Sequence, residues 1–495
     1  MKKLLALSLL LVLLCVPSYA AKPDKDIVIL YTNDVHCGVD DNIGYAGLIY
    51  YKHEMEKLTP YVTLVDAGDW SQGATIGAIA QGRYIYEIMN ACGYEFAVPG
   101  NHEFDYGWSQ FENFAKNLKP GFHSCNLRDL RTGQLLFAPY KIFTYGDVKV
   151  AFVGACTPES IVKSTPSTFM DEDGKYIYDF DGDKTGEKLI ASIQKAVDDA
   201  RAEGADYVFV VGHLGEYEDV TEVWAVPYIA PRTRNIDAFI DGHSHEVTPA
   251  LKFQNLDGKE VVVTQTGTKL KNVGKLTINT DGEIKTELIN SVDGRDEEIN
   301  AVIADIKARF EGTLRQHLSY TSFDLRAMDD NGDWILRNAE TNLCNLAADA
   351  MLYSARYTET GKADIGLYNA GGIRSNIMPG EITFNDALSV MPFNNTVCMI
   401  EVSGQTILDE LEHGARLMPR NSGGFLHVAG MTYTIDTTIP TPVKTDEHNV
   451  LISIEGERRV KDVKVNGEPL DPEKLYKVAS ISYVLLGLGD GHVFA

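Results

Sequence analysis

The chain has 495 residues, which is too long for a single hydrophobic core, so we expect two domains. Its formal net charge of −25 at pH 7 argues against nucleic-acid polymers and anionic membranes as partners, because acidic surfaces repel phosphate groups. Hydrophobic residues at 44% and charged residues at 23% are typical of a compact globular protein. An acidic protein can still bind a small phosphate compound where metal ions invert the local field.

The N-terminus has the pattern of a signal peptide over residues 1–20. Two lysines precede the apolar run 4–16, and Ser18 and Ala20 place small residues before the cleavage position. About 13 apolar residues are too few to span a bilayer, which needs roughly 20. We therefore expect cleavage after Ala20, secretion, a periplasmic location and no stable membrane insertion.

Six cysteines remain after that cleavage, and their spacing alone does not select one of the roughly 15 possible disulfide connectivities. Cys156 and Cys398 lie in apolar runs typical of strands, so we interpret both as buried free thiols. The disulfide pattern and the oligomeric state stay open at this point.

Short apolar runs alternate with polar loops and helical stretches in the first half of the chain, which indicates an α/β layer architecture. Five of these runs end close to an Asp, His or Asn residue, and they are Ile27–Tyr31, Tyr61–Val65, Glu95–Val98, Asp206–Val211 and Ile236–Ile240.

Asp296–His317 has the pattern of one charged helix that joins two domains. A helical pattern at Glu340–Tyr353 and a strand pattern at Ala363–Tyr368 then indicate a second α/β domain. We expect a first domain at 21–295, a linker helix region at 296–330 and a second domain at 331–495.

Residues of the types that can bind metal ions follow the first two runs. Asp34 and His36 come after the first run, and strand alternation predicts that both side chains lie on one face. Asp69 comes after the second run and directly follows Gly68, so its carboxylate can extend from a tight turn and bridge two cations.

The third run ends at a motif that contains Asn101, His102 and Asp105. Asn101 offers a neutral oxygen ligand, and Asp105 can hold the second ring nitrogen of His102, which fixes its tautomer and raises its basicity. The alternative interpretation is a polar helix N-cap, because Asn and Asp are favoured there.

Histidines follow the last two runs, namely His213, His243 and His245. A mixed set of His, Asp and Asn ligands suits divalent ions such as Zn²⁺ or Mn²⁺. Open α/β sheets place binding sites at the carboxyl ends of their strands, where all five groups lie. The five motifs together therefore predict a metal site.

These motifs, in this order, resemble the calcineurin-like metallophosphoesterases. The resemblance implies an α/β fold with a four-layer α/β/β/α sandwich, in which Asp69 bridges two metal ions and Asn101 binds the second. It implies that His102 and Asp105 form the catalytic pair and that two divalent ions, Zn²⁺, Mn²⁺ or similar, are bound by Asp34, His36, Asp69, Asn101, His213, His243 and His245.

The C-terminal half carries residues suited to a nucleotide. Arg337 and the glycine turn Asn369–Arg374 offer cations with the bidentate geometry that phosphate favours. Phe393 and Tyr483 come from separate segments and can stack on a planar base. Either arginine alone is equally typical of a surface turn, and either aromatic alone is more typical of a core.

These stretches resemble the C-terminal domain of the 5′-nucleotidase family, and the likeness covers about residues 25–495. It implies that Arg337 and Arg374 contact phosphate. It further implies that Asn369 and Asp490 contact the nucleoside, that Phe393 and Tyr483 hold the base, and that Asn395 makes a further polar contact.

The sequence departs from the family pattern in two places. Leu488 interrupts the usual glycine pair, so Tyr483 lies seven residues before Asp490 where the family has a Phe at six. The chain also ends four residues after Gly491, which is earlier than in many relatives.

The expected function is hydrolysis of nucleoside 5′-monophosphates by in-line attack of an activated water on phosphorus. Cleavage of UDP-sugars or other nucleotide pyrophosphates can accompany it. The alternatives are a 2′,3′-cyclic-nucleotide phosphodiesterase with 3′-nucleotidase activity and a non-catalytic nucleotide-binding protein. The partner in each case is a small-molecule nucleotide.

Overall fold

The computed structural model describes residues 20–216, 220–357, 361–393 and 395–494. The predicted signal peptide, residues 1–20, lies outside this part of the chain except for Ala20. No helix within these ranges combines the length and the apolar character needed to cross a membrane.

The first half of the chain is built on two mixed β-sheets. Its described strands are β1 Ile27–Thr32, β2 Val62–Asp66, β3 Phe96–Ala97, β4 Arg128–Asp129, β5 Gln134–Leu135, β6 Tyr140–Tyr145, β7 Val148–Cys156, β8 Tyr178–Asp179, β9 Tyr207–His213, β10 Ala238–Ile240, β11 Val247–Gln254, β12 Glu260–Thr266, β13 Val273–Ile278 and β14 Ile284–Ile289.

One sheet has the strand order β14-β13-β1-β2-β3 and the other has the order β11-β12-β10-β9-β7-β6. Strands β1, β2 and β3 run parallel, and so do β7, β9, β10 and β12. The carboxyl ends of the central strands therefore meet at one edge of each sheet.

The two sheets pack face to face through buried apolar side chains from their central strands, such as Ile29, Phe96, Phe152 and Phe209. This contact is the inner layer of the domain, since all four side chains are fully buried. Burial on both faces explains why the central strands read as continuous apolar runs.

Helices cover both outer faces of the sheet pair. The described ones in this half are α1 Gly44–Leu58, α2 Thr75–Ala80, α3 Arg83–Cys92, α4 Trp108–Asn117, α5 Ser160–Lys163, α6 Glu187–Ala202, α7 Val226–Ile229, α8 Glu297–Ala308 and α9 Glu311–Leu314. Helices α1, α3, α4 and α8 share a buried cluster with the first sheet, in which α8 packs on α1 and α3, and α6 and α7 share a buried cluster with the second sheet. The expected four-layer α/β/β/α sandwich is confirmed.

The single helix expected at Asp296–His317 is wrong in its extent. Helix α8 begins after Asp296, whose side chain accepts a hydrogen bond from the backbone of Ile299, and it ends at Ala308. Phe310 leaves the helical conformation and stacks on Tyr84 with ring centroids 5.7 Å apart. Packing of this ring on the first domain interrupts the helical pattern, which resumes only in the short helix α9 before a strand begins at His317.

The second half forms an α/β domain around a sheet of order β18-β25-β16-β19. Its described elements are β15 His317–Thr321, α10 Asn342–Ser354, β16 Ile365–Asn369, β17 Gly380–Thr383, α11 Phe384–Val390, β18 Val397–Ser403, α12 Gly404–Gly414, β19 Leu426–Ala429, β20 Met431–Ile435, β21 Val443–Thr445, β22 Leu451–Ile454, β23 Val460–Val465, β24 Glu468–Pro469, β25 Leu475–Ile481 and α13 Ser482–Leu485.

The two halves contact each other at several points. The hydroxyl of Tyr483 donates to the carbonyl of Val162 at 3.0 Å, and Lys184 donates to the carbonyl of Thr445 at 2.5 Å. The hydroxyls of Thr75 and Ser389 lie 3.2 Å apart. These contacts bring the second half of the chain against α2, α5 and the loop before α6 of the first half.

All six cysteines in the described part of the chain are free thiols. Cys156 is fully buried, as expected. The same expectation for Cys398 is wrong, because this residue is only half-buried on β18.

Candidate active site

Five of the seven predicted metal ligands have a left-handed backbone. Strand β1 ends at Thr32 and β10 ends at Ile240, so strand alternation does not aim the residues beyond them, and that part of the expectation is wrong. The loops after these strands orient the side chains instead. The left-handed backbone of each such residue costs roughly 1–3 kcal/mol of conformational free energy. Their φ angles are 50° at Asp34, 44° at His36, 60° at Asp69, 80° at His243 and 59° at His245.

The loops after β2 and β3 touch through two glycines. A Cβ atom on Gly68 would lie 2.6 Å from the backbone nitrogen of Gly100, so the contact requires glycine. Gly68 also has a φ of 91°. This close approach places Asp69 where its Oδ1 atom accepts a hydrogen bond from the backbone of His102 at 2.8 Å.

Glu103, which the sequence analysis did not select, holds both loops together. Its fully buried carboxylate accepts backbone hydrogen bonds from Asp69 at 2.9 Å, Trp70 at 3.0 Å, Ser71 at 3.1 Å and Gly100 at 2.7 Å. The residue lies next to His102 in the motif, but no sequence pattern distinguishes a supporting carboxylate from a ligand.

The first group of ligand atoms comes from Asp34, His36 and His245, and these atoms lie within 4.8 Å of one another. The Nε2 atoms of the two histidines are 2.9 Å apart, and His245 Nε2 lies 3.4 Å from Asp34 Oδ1. Burial and the neighbouring His245 lower the pKa of His36 well below its usual value. Two imidazole nitrogens facing each other beside a carboxylate suit a cation.

The second group comes from Asp69, His213 and His243, whose ligand atoms also lie within 4.8 Å of one another. His213 Nε2 lies 3.2 Å from Asp69 Oδ2 and 3.3 Å from Asn101 Oδ1. Burial lowers the pKa of His213, but Asp69 outweighs burial and raises the pKa to about 10. The carboxylate therefore attracts positive charge at this point.

Asp69 is the shared residue of the site. Its carboxylate lies 3.8 Å from His36 Nε2 as well as 3.2 Å from His213 Nε2, so it faces both ligand groups. Two buried carboxylates among imidazole and amide donors form a set that fits two divalent cations. The structure brings all seven predicted ligands together.

The predicted pair of His102 and Asp105 is hydrogen-bonded, with Nδ1 of His102 2.5 Å from Oδ2 of Asp105. Burial lowers the pKa of His102, but Asp105 and Asp69 outweigh burial and raise it. Asn101 makes no side-chain capping bond to the short helix His102–Phe104. The alternative interpretation of this motif as a simple N-cap therefore has no structural support.

A cavity of about 450 Å³ extends from this ligand cluster into the second domain. It is lined by residues of both halves, including Asn101, His102 and Asp105 on one side and Arg337, Asn369, Arg374, Phe393, Asn395, Tyr483 and Asp490 on the other. Every predicted substrate residue thus lines the same cavity as the predicted catalytic pair.

Two arginines of the cavity wall pack on one indole ring. The guanidinium carbons of Arg337 and Arg374 lie 5.0 Å and 5.9 Å from the ring centroid of Trp334. Burial and the charge of Arg337 lower the pKa of Arg374 to about 10, which leaves it cationic at neutral pH. Trp334 was missed from the sequence, because an isolated Trp in a loop carries no functional pattern.

The two residues predicted to contact the nucleoside line the cavity and are hydrogen-bonded to each other. Asn369 donates to Asp490 Oδ2 at 3.0 Å, and both side chains are buried. Leu488, the residue that interrupts the glycines, adopts a left-handed φ of 59°, and Asp490 adopts 55°. This turn therefore contains two non-glycine residues in a strained backbone conformation.

The predicted aromatic pair lies at two points of the cavity wall. The ring of Phe393 is 6.0 Å from that of His102. One face of the Tyr483 ring is covered by Gly489, since a Cβ atom there would lie 2.4 Å from the ring. Asn395 accepts a hydrogen bond from the Tyr483 backbone at 3.1 Å, so this residue also positions the tyrosine.

Two ligand groups of Asp, His and Asn at the carboxyl edges of a four-layer sandwich define a metal-dependent phosphoester hydrolase. The family model for calcineurin-like phosphoesterases matches residues 27–247, and the model for the 5′-nucleotidase C-terminal domain matches residues 326–495. The chain belongs to the 5′-nucleotidase family.

Known proteins of this family align along most of the chain. The 5′-nucleotidase of Bos taurus is 28% identical over 95% of this chain and 84% of that protein. Snake venom 5′-nucleotidase of Gloydius brevicauda is 26% identical over 97% of this chain and 84% of that protein. The crystal structure of a 5′-nucleotidase precursor from Thermus thermophilus superposes with a TM-score of 0.77 at 26% identity, covering 94% of this chain and 91% of that one.

Proposed function

We propose that this protein is a secreted enzyme that releases phosphate from nucleoside 5′-monophosphates. The observation that carries the proposal is that residues of both domains line the same cavity. His102 and Asp105 come from the first domain, and Asn369, Arg374 and Asp490 come from the second. A volume of about 450 Å³ is within the usual range for small-molecule sites. The arrangement suits a substrate with phosphate at one end and a nucleoside at the other.

Two divalent ions, Zn²⁺, Mn²⁺ or similar, would be held by two sets of residues. Asp34, His36 and His245 would hold one ion, Asn101, His213 and His243 would hold the other, and Asp69 would serve both. When bound, the ions would supply Lewis-acid activation of water and charge neutralisation at the phosphoryl oxygens.

Side chains of the protein bind the phosphate and transfer the proton in this proposal. Arg337 and Arg374 orient the phosphate and neutralise its charge. His102, kept protonated by Asp105, gives a proton from Nε2 to the leaving ribose oxygen or stabilises the transition state. Proton donation suits His102 because its pKa is raised.

The nucleoside would be held by the second domain. Asn369 and Asp490 present polar groups for the ribose and base, and Asn395 adds a polar contact while it holds Tyr483 in place. Phe393 and Tyr483, which both line the cavity, would enclose the planar base by stacking. Base preference is not set by these contacts, because stacking accepts every base.

The domain limits at 21–295, 296–330 and 331–495 remain part of the proposal. Helix α8, in the proposed linker region, packs its apolar residues Ile299, Ile303 and Ile306 on the first domain.

The proposed periplasmic location rests on residues 1–20 alone. Fractionation of cells that express the full chain tests this location, and recovery in the cytosol of a chain that retains residues 1–20 contradicts it.

A phosphate-release assay with added Mn²⁺ or Zn²⁺ tests the activity itself. We expect AMP to be the best substrate among AMP, 3′-AMP, UDP-glucose and 2′,3′-cyclic nucleotides, with UDP-glucose as a second substrate. Preference for the cyclic nucleotides would favour the phosphodiesterase alternative. Binding of AMP without release of phosphate would favour a non-catalytic protein.

A further inference from the structure

Glu159, which precedes helix α5, is a buried carboxylate with both oxygens engaged. Its Oε2 atom lies 2.8 Å from Nε2 of His243. Its Oε1 atom accepts hydrogen bonds from the backbone nitrogen of Thr221 at 2.8 Å and from the Thr221 hydroxyl at 2.6 Å. Glu159 therefore connects a proposed metal ligand with a residue outside the cavity's ligand groups.

The contact with Glu159 determines which nitrogen of His243 carries the proton. A carboxylate can only accept, so His243 donates through Nε2, and the lone pair of Nδ1 is left for an ion. Such outer carboxylates fix the tautomer and the ring orientation of metal-binding histidines. The other carboxylate oxygen accepts two hydrogen bonds from Thr221, so both oxygens of Glu159 act as acceptors.

The chain of hydrogen bonds continues into the second domain. The Thr221 hydroxyl donates to Glu159 and accepts from the side-chain amide of Asn449 at 3.1 Å. Asn449 lies in the loop between β21 and β22 and has a left-handed φ of 65°. Its carbonyl also packs on Gly491, where a Cβ atom would lie 2.3 Å from that oxygen.

We propose that Glu159 is a positioning residue for His243, and that Asn449 makes this positioning depend on docking of the second domain. Asn449 touches the turn that carries Asp490 and, through Thr221, the support of His243. The second domain therefore strengthens ion binding at the group of Asp69, His213 and His243 when it docks. This inference rests on the proposed two-ion site.

Glu159→Gln tests the first part, because the two groups are nearly the same size. If the amide nitrogen faces His243, the ring must accept at Nε2 and carry its proton on Nδ1, which removes the lone pair for the ion. If the amide oxygen faces His243, the amide nitrogen faces the backbone N–H and the hydroxyl of Thr221. An amide nitrogen cannot accept a hydrogen bond, so both of these hydrogen bonds are lost. Either orientation weakens one ion step, by about 10- to 100-fold.

The measurement is calorimetric titration of Mn²⁺ into the ion-free full-length protein. We expect wild type to bind two Mn²⁺ ions and E159Q to bind one of them 10- to 100-fold more weakly, with the other unchanged. Thr221→Val should weaken the same step and Thr221→Ser should restore it, since only the hydroxyl is needed. Thermal unfolding of the ion-free variants shows whether folding is intact.

Asn449→Gly tests the dependence on the second domain, because glycine accepts the left-handed backbone and lacks the amide. We expect it to weaken the same Mn²⁺ step about 3- to 10-fold, as loss of one neutral hydrogen bond predicts. Asn466→Gly is the matched control, since Asn466 is an exposed turn residue with a φ of 52° that lies outside the cavity and the chain of hydrogen bonds.

The outcomes separate the two claims. Wild-type Mn²⁺ affinity in E159Q would overturn the inference. An unchanged Mn²⁺ step in N449G, or an equal loss in N466G, would overturn the role of domain docking. A wild-type protein that binds no Mn²⁺ or Zn²⁺ would instead contradict the proposed function on which the inference rests.

Discussion

The Nδ1 atom of His102 lies 2.5 Å from Oδ2 of Asp105, and both side chains face the cavity shared by the two domains. The hydrogen bond leaves Nε2 of the same ring directed at the reacting groups in the proposed mechanism. His102 is not one of the proposed ligands, although its ligand atom lies within 4.8 Å of those of His36 and Asp69.

His102→Ala should lower kcat for AMP by roughly 10²- to 10⁴-fold, because it removes the proposed proton donor. The Mn²⁺ content should stay at the wild-type level, since none of the proposed ligands is changed. Steady-state kinetics and elemental analysis of the same preparation measure both quantities. Turnover at the wild-type rate would reject the role of His102.

Phe393→Ala should raise KM for AMP by about 5- to 100-fold, because stacking of a base is worth ~1–3 kcal/mol. Hydrolysis of glycerol 2-phosphate, which has no base, should be nearly unchanged. Arg374→Gln is the comparison, because loss of a phosphate contact should slow both substrates. An equal effect of Phe393→Ala on the two substrates would argue against base stacking.

Removal of divalent ions should abolish activity and lower the melting temperature by several degrees. Ligands that bind the folded state at 100 times their Kd stabilise it by about 2.7 kcal/mol. Asp69→Asn is the informative variant, since this residue faces both ligand groups. We expect its melting temperature to respond far less to Mn²⁺, and a wild-type response would contradict the bridging role of Asp69.

Acidification should destabilise the second domain through His427. Burial lowers the pKa of this residue from 6.5 to about 4, and its Nε2 atom donates to the carbonyl of Leu336 at 2.9 Å. The folded protein binds fewer protons than the unfolded chain between these values, so stability falls as the pH drops through this window. The loss reaches about 3 kcal/mol.

Urea unfolding at pH 7.5 and pH 4.5, followed in wild type and in His427→Gln, measures this contribution. The variant should show a smaller loss of stability on acidification than wild type, because it cannot take up the proton. Identical losses in both proteins would show that His427 does not titrate in this window.

The contact between Thr75 and Ser389 offers a test of domain motion. Their hydroxyls lie 3.2 Å apart, so cysteines at both positions can reach disulfide distance with small rotations. The oxidised double variant should turn over several-fold more slowly than the reduced one, because product release needs the cavity to open. Equal rates in both states would show that catalysis does not require separation at this contact.

The chemistry of the site was readable from the sequence because ligand types recur at the ends of strands. Asp69, Asn101 and His213 each follow an apolar run, and parallel strands bring such ends together. The resemblance to a known family supplied the proposed role of Asp490, which spacing alone did not give, and it supported the phosphate contact that the glycine turn predicts for Arg374.

Other features depend on tertiary contacts that a linear pattern does not record. Glu159 reaches His243 across 84 positions of the chain, and nothing around it resembles a ligand motif. Phe310 ends its helix because its ring packs on Tyr84, against the local helical pattern. Cys398 is half-buried although its neighbours are apolar, because β18 is an edge strand of its sheet.

The left-handed loops that carry Asp34, His36, Asp69, His243 and His245 also limit how this site can be copied. A designer who grafted the seven side chains onto another protein would reproduce the chemical groups but not the orientations of the side chains. The sheet edges that hold those loops in a disfavoured shape must be transplanted with them. In this protein the smallest portable unit of the site is therefore the whole sandwich.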